Sequence, residues 1–271
     1  MNGFMAVIGY PVTHSWSPLL FNDVFRKAGL NSHYLAVSLE PSLLQSFVEH
    51  SRESFIGFNV TMPHKVDIIP MLDHLDPSAA GAGAVNLVVN RNGKLNGFNS
   101  DVTGFMRFVH DENLDFSGKT IVFVGAGGVF RAVIHAIRSE FRPEKVTVMV
   151  RDPEKYRSRI SETNAEITGL KAPADRCDFL INCTPVGMRH YTGSSMIPGD
   201  LISSSGVFID LVYNPPESES VRFARKLGIR AFSGTAMFLY QAEETFERVL
   251  GMRPPHDYFR SSMDSIMELS P

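Results

Sequence analysis

Thr120-Ile121-Val122-Phe123-Val124, followed at once by Gly125-Ala126-Gly127-Gly128, is the stretch that most narrows what this chain can fold into. An unbroken β-branched and apolar run is the pattern of a strand covered on both faces, as in the middle of a parallel sheet. Parallel neighbours need crossovers, and the sequence supplies them. A helical pattern runs through Arg138, a second buried strand is expected at Lys145–Val150, and further strands are expected at Phe179–Cys183, Val207–Leu211 and around Arg230-Ala231-Phe232. This βαβ series predicts an α/β, doubly wound, Rossmann-like domain over residues 103–234.

The chain ahead of it alternates strand and helix signals. Strands are expected at Phe4–Ile8, Ser32–Val37 and Ile56–Val60, with helices after Ser17-Pro18 and from Pro41 to His50. Ser17 reads as an N-cap with Pro18 at the first helical position, and Gly29 as the stop. A helical pattern resumes after Pro63, kinked or broken by Pro70. Strands at Ala84–Val89 and Lys94–Gly97 flank Arg91-Asn92-Gly93, a hairpin turn signal, and Asp101 reads as the N-cap of a helix to His110. Thr235–Leu250 is a long amphipathic helix ending at Gly251, followed by one more short helix. A length of 271 residues allows one large domain or two modest ones. The order of signals divides it into an α/β domain, residues 1–102 completed by 235–271 and expected to be the substrate-binding and catalytic one on the residues and resemblance that follow, with the Rossmann-like domain between.

Lys and Arg number 26 against 29 Asp and Glu, and no basic stripe occurs, which argues against a nucleic-acid partner. No apolar run reaches the roughly 18 residues of a membrane span. The N-terminus lacks the basic start of a signal peptide, and two cysteines are too few for a disulfide framework, so a cytoplasmic protein is expected. No Cys/His cluster has metal-site spacing; Cys183 with Cys177 or His190 reads as core packing instead. Oligomeric state is open between monomer and homodimer.

The glycine turn sits after a buried strand and before a helix, where glycines let the backbone approach a pyrophosphate and the helix N-terminus presents free N–H groups. Phe130 takes the third glycine position of the full fingerprint. At the end of the next strand come Arg151-Asp152-Pro153-Glu154-Lys155; Arg151 suits adenine stacking and a phosphate, and Lys155 adds charge, which favours NADP over NAD. Asp152 either repels a 2′-phosphate or starts a helix with Pro153. Gly118-Lys119-Thr120 lacks the earlier glycine of a P-loop and precedes a strand, so it is set aside.

In the front region, Ser15 and Ser17 read as caps or as ligands. Asn59 and Thr61 share one face of a strand end, and Lys65 reads as a surface lysine or as an acid/base near a helix N-terminus, where the dipole disfavours its charge. Asn86 and Asp101 read as turn and cap residues or as site residues. Together they form an inventory of hydrogen-bonding groups, one lysine and one aspartate ahead of a dinucleotide domain, which suits a polyhydroxylated substrate beside a nicotinamide.

Taken in order, Val7-Ile8-Gly9, His14-Ser15-Trp16-Ser17-Pro18, Asn59-Val60-Thr61-Met62-Pro63-His64-Lys65, Gly83-Ala84-Val85-Asn86, Asn99-Ser100-Asp101, Gly125-Ala126-Gly127-Gly128, Asn182-Cys183-Thr184-Pro185-Val186-Gly187-Met188, Tyr213-Asn214-Pro215 and Gly234 with Met237 and Gln241 resemble the shikimate dehydrogenase family over nearly the whole chain. The resemblance implies reversible reduction of 3-dehydroshikimate to shikimate with NADPH, on the route to chorismate and aromatic amino acids. It implies Lys65 and Asp101 as the catalytic pair. Ser15 and Ser17, helped by Tyr213, would bind the substrate carboxylate, while Asn59, Thr61, Asn86, Asp101 and Gln241 hold ring hydroxyls or line the pocket. Gly125, Ala126, Gly127, Gly128, Val129, Arg151, Lys155, Thr184, Leu211, Gly234 and Met237 match cofactor-side positions. The chain differs from the usual pattern at Phe21, Ser100, Phe130, Val150 and Asp152. Competing readings are a quinate/shikimate dehydrogenase using NAD or both cofactors, a methylene-tetrahydrofolate dehydrogenase of similar architecture, and a non-catalytic NADPH-binding sensor.

Overall fold

The apolar run at the N-terminus forms β1 (Gly3–Gly9), the first strand of a computed structural model that describes residues 3–160, 163–170, 176–189, 191 and 193–269. It is followed by α1 (Ser17–Lys27), β2 (Ser32–Ser38), α2 (Leu44–Ser54), β3 (Phe55–Val60), β4 (His74–Leu75), α3 (Pro77–Ala82), β5 (Leu87–Arg91), β6 (Lys94–Phe98) and α4 (Ser100–Asp111). These strands make a six-stranded sheet of order β2-β1-β3-β5-β6-β4. β1 is parallel to β2 and β3, whereas β5 runs antiparallel to β3 and to β6. Asn92 and Gly93, with φ of 53° and 82°, make the tight turn between β5 and β6, the backbone that Asn-Gly favours.

Several local expectations are corrected. Ser17 is the first residue of α1 and not its cap; Trp16 holds the cap position, and Ser15 Oγ accepts the Ser17 N–H at 3.3 Å. Pro41–Leu43 is a 3₁₀ turn ahead of α2. No α-helix follows Pro63: the segment is a series of turns closing in a 3₁₀ turn at Ile69–Met71. Pro70 has no N–H to give, and the Lys65 carbonyl, which a helix would offer to Ile69, accepts from Val85 N at 2.7 Å. Asp101 is the second residue of α4, a carboxylate in the first turn, where the helix dipole favours it.

β2 is an edge strand of this sheet. Its Tyr34 gives its N–H to Asn22 Oδ1 at 2.8 Å and accepts from Asn22 Nδ2 at 2.9 Å, so a side-chain amide from α1 stands where a further strand would pair. Phe21, on the same helix, is fully buried and stacks on the Tyr34 ring at 4.5 Å.

The second sheet is built from β7 (Thr120–Val124), β8 (Lys145–Val150), β9 (Glu166–Gly169), β10 (Cys177–Asn182), β11 (Ser205–Asp210) and β12 (Arg230–Phe232), in the order β12-β11-β10-β7-β8-β9. Every pairing in it is parallel. α5 (Gly128–Glu140), α6 (Pro153–Ile160), α7 (Gly199–Ser203) and α8 (Glu219–Lys226) are its crossovers, and α9 (Thr235–Leu250) and α10 (His256–Glu268) complete the chain. Phe130 is absorbed into the core between helix and sheet, edge-on to Phe123 with centroids 5.1 Å apart. The chain forms two compact units, Met1–Phe105 with Leu239–Pro271, and Met106–Phe238. The divisions fall inside α4 and α9, a few residues beyond the expected 102/103 and 234/235.

Candidate active site

In the first unit, register brings the polar residues to one edge of the sheet. β1 and β3 run parallel and end together at Gly9 and Val60. β5 runs antiparallel to β3, with Asn59 opposite Leu87, so Asn86 arrives at the same edge; β6 returns, with Phe98 opposite Leu87, and delivers Asn99, Ser100 and Asp101 there. Thr61 and Lys65 follow β3 directly, and Ser15 and Ser17 follow β1 at the start of α1.

The Lys65 Nζ lies 2.5 Å from Asp101 Oδ2, with the two side chains only 15% and 11% exposed. Lys65 is held in a turn by the Val85 bond and not at a helix N-terminus, so the dipole argument for it is withdrawn. Beside the pair lies a buried amide and hydroxyl network. Asn86 Oδ1 accepts from Ser100 N at 2.6 Å, and Asn86 Nδ2 donates to Ser100 Oγ at 3.0 Å. Ser100 Oγ lies 3.4 Å from both Gln241 Oε1 and Thr245 Oγ1. Asn59 Nδ2 donates to Asn86 O and to Thr245 Oγ1, each at 3.1 Å, and Asn59 Oδ1 accepts the Tyr34 phenol at 2.6 Å. Tyr34 and Thr245 were not singled out from the sequence. The available signal for Thr245 was a hydroxyl one helical turn beyond Gln241 on the same face. Tyr34 had none beyond an alternating strand.

The second unit has the strand order 3-2-1-4-5-6 when counted from β7 as the first, so the winding direction reverses between β7 and β10. Gly125 follows β7 at φ +94°, and a Cβ there would lie 2.5 Å from Thr184 Cγ2, which follows β10, so any side chain at that turn is strained. Gly127 precedes α5 in extended backbone with nothing within 4 Å of where its Cβ would sit, and it offers α5 no side-chain cap. Gly128 and Val129 open α5, and Ala126 is buried behind them. The first N–H groups of α5 therefore face an uncrowded backbone surface suited to an anion.

Thr184 is anchored by its N–H and hydroxyl to Asn182 Oδ1 at 2.9 and 2.6 Å. Asn182 Nδ2 in turn donates to Val186 O at 3.1 Å and to Asp210 Oδ1 at 2.8 Å. Asp210 is fully buried and also accepts from Val212 N at 3.1 Å and Ser218 Oγ at 2.5 Å. Burial pushes its carboxyl up to about 6, against the pull of these donors. Gly234 packs so closely on Leu211 that a Cβ would lie 2.3 Å from its carbonyl oxygen. Met237 is buried two residues into α9, and Tyr213 stacks on Phe238 at 4.2 Å.

Arg151 and Lys155 are exposed beyond β8. Asp152 Oδ1 accepts the Lys155 N–H at 3.3 Å, so this carboxylate caps α6, in keeping with the helix-start reading of Asp-Pro. Cys177 and Cys183 are buried free thiols, and burial raises both, Cys177 to about 11. His190 lies outside the described residues. Among the described residues no group of His, Cys, Asp and Glu is arranged to hold a metal, and no helix is long and apolar enough to cross a membrane.

A sequence model of the shikimate dehydrogenase substrate binding domain matches residues 7–88. The chain is 38% identical to the shikimate dehydrogenase (NADP(+)) of Syntrophomonas wolfei, over 97% of its own length and 95% of that protein's. It is 35% identical to the enzyme of the same name from Halothermothrix orenii, over 92% and 91% of the two chains. The crystal structure of shikimate 5-dehydrogenase from Thermus thermophilus in complex with NADP(H) and shikimate superposes with a TM-score of 0.83 at 30% identity, covering 97% of this chain and 99% of that one. With likeness of this degree running almost end to end through both units, the chain belongs to the shikimate dehydrogenase family.

Proposed function

We propose that this protein is an NADP-dependent shikimate dehydrogenase that reversibly reduces 3-dehydroshikimate to shikimate in the biosynthesis of chorismate and aromatic amino acids. The observation that carries the reading is the shielded Lys65–Asp101 pair, set beside the Asn86–Ser100 network at one edge of the first sheet. A protonated lysine held by a carboxylate is a proton donor fixed in place, and the adjoining amides suit ring hydroxyls.

The second unit's residues fit NADP. Gly125, Gly127, Gly128 and Val129 would hold the pyrophosphate at the α5 N-terminus, where a side chain on Gly125 would collide with Thr184 and one on Gly127 would occupy open space. Arg151 and Lys155 would meet the 2′-phosphate, with Asp152 engaged at the start of α6. Thr184, Leu211, Gly234 and Met237 would line the remainder. NADPH, when bound, supplies the hydride that converts the ring carbonyl to an alcohol.

Lys65 delivers a proton from Nζ to the carbonyl oxygen as negative charge develops there, and in the oxidative direction its neutral amine takes that proton back. Asp101 Oδ2 holds the ammonium and keeps it aimed. Asn86 directs its remaining N–H to a ring hydroxyl, Gln241 and Thr61 line the pocket, and Ser15 and Ser17 offer hydroxyls to the substrate carboxylate. Binding that anion with hydroxyls and not with arginine is consistent with the near-balanced charge of the chain.

The buried free thiols Cys177 and Cys183 suit a reducing compartment, and we take the protein to be a cytoplasmic monomer or homodimer that works without nucleic acid or a membrane. The test is to follow the near-ultraviolet absorbance of reduced nicotinamide with shikimate or quinate and with NADP or NAD. Fastest turnover with shikimate and NADP is expected. NADP binding with no shikimate-dependent absorbance change would refute the reading in favour of a non-catalytic sensor.

A further inference from the structure

Helix α9 lies antiparallel along β3, and successive contacts fix its register. Val249 packs over Gly57, where a Cβ would come within 2.8 Å of Val249 Cγ2. Thr245, fully buried, accepts from Asn59 Nδ2 at 3.1 Å. Four helical residues advance about 6 Å and two strand residues about 6.6 Å, so helix and strand stay in step over this span. The next interval sets Gln241 at the level of Thr61, and Gln241 Oε1 lies 3.4 Å from Ser100 Oγ.

The middle contact is a buried polar key, and its orientation is forced. Asn86 O can only accept, so Asn59 turns Nδ2 toward it, and Oδ1 faces Tyr34, whose phenol must donate. Both Nδ2 hydrogens are then engaged, one by Asn86 O and one by Thr245 Oγ1. Asn59 has no N–H left for a ligand, and its work is to hold the helix.

We propose that Thr245 is a positioning residue for Gln241: keyed to the Asn59 amide, its hydroxyl sets where α9 stops along β3 and so where the Gln241 amide meets the substrate. Tyr34 locks the far end of the same amide. The inference rests on the shikimate reading above.

The experiment compares Thr245→Val, Thr245→Ser, Gln241→Ala and the double variant Thr245→Val/Gln241→Ala by steady-state kinetics with shikimate and NADP. Alongside, the Gln241 side-chain amide is followed by ¹⁵N NMR in the full-length protein without ligand. Thr245→Val should raise the shikimate KM about tenfold, the size of one hydrogen bond, with kcat and the NADP KM within about threefold. Thr245→Ser should restore the wild-type shikimate KM. The double variant should be no worse than Gln241→Ala alone, because the threonine acts through the glutamine. The Gln241 amide resonance should move in the valine variant and return in the serine variant. Multiplicative losses in the double variant, or an unmoved resonance, would overturn the proposal. A wild-type enzyme inactive on shikimate would refute the function assigned above, while the resonance would still decide this one. Should Thr245→Val fail to fold, Tyr34→Phe frees the opposite end of Asn59 and runs the same cycle.

Discussion

Asp210 closes β11 with its carboxyl sealed from water, and its three hydrogen-bond donors, Val212 N–H, the Asn182 amide and the Ser218 hydroxyl, are all uncharged. Burial raises the carboxyl from 3.8 to about 6, so the folded chain holds this proton more tightly than the unfolded chain does. The associated stability is complete below the unfolded value and is lost as pH climbs through the folded one. The whole shift corresponds to on the order of 3 kcal/mol, of which about 1.4 kcal/mol disappears between about pH 5 and about pH 7.5. Asp210→Asn abolishes the titration and keeps the contacts: Oδ1 still accepts from Val212 and Asn182, and Nδ2 donates to Ser218 Oγ. Urea unfolding of both proteins by far-ultraviolet circular dichroism at the two pH values measures the difference, and carboxylates such as Asp23, held low against the effect of burial by Ser262, Lys27 and Arg26, and Asp73, held low by Arg52 and the Leu95 N–H, cancel in it. Trp16, the single tryptophan, reports the first unit by fluorescence and so identifies the transition of the second. The variant should gain about 1.4 kcal/mol relative to wild type on going from the lower pH to the higher. A difference that stays constant, or that moves the other way, would refute the argument that an ionised Asp210 is a burden to the fold.

Lys65→Ala should lower kcat by roughly 10²–10⁴-fold with little change in shikimate KM, measured by steady-state kinetics, because it removes the proton donor and leaves the ring contacts standing. Gly125→Ala places a methyl 2.5 Å from Thr184 Cγ2 at a φ of +94°; the NADP KM should rise by at least about tenfold and stability should fall by about 1–3 kcal/mol in urea unfolding. Shikimate analogues lacking one ring hydroxyl should lose at least about 10²-fold in kcat/KM, since the amides around Asn86 would be left facing a gap.

The second sheet was legible because its signals are local. Thr120–Val124 is β-branched or apolar at every position, and it occupies the interior of a wholly parallel sheet. The chemistry-bearing edge of the first sheet was legible as residue types but not as geometry. Lys65 read as a helix-end residue because the spacing after Pro63 looks helical, yet the partner that takes its carbonyl, Val85, is twenty residues away in sequence and sends no local signal. Ser17 and Asp101 read as caps because both types favour caps, and each stands one or two residues inside its helix. Asp152 is the contrast: Asp followed by Pro is a helix start, and the carboxylate does cap α6. Thr245 and Tyr34 escaped because each joins the polar network through partners distant in the chain, Asn59 for both and Ser100 as well for Thr245.

Asn22 occupies the outer side of Tyr34 as a stand-in for a neighbouring strand, and a sheet with an open rim is otherwise a template for unwanted association. The same tyrosine reaches inward to orient Asn59. Keeping the rim closed and keeping the site in shape are therefore one task for one residue. Replacing Asn22 would uncap the backbone of the residue whose phenol orients Asn59, so the rim of this sheet and its buried amide network share one anchor.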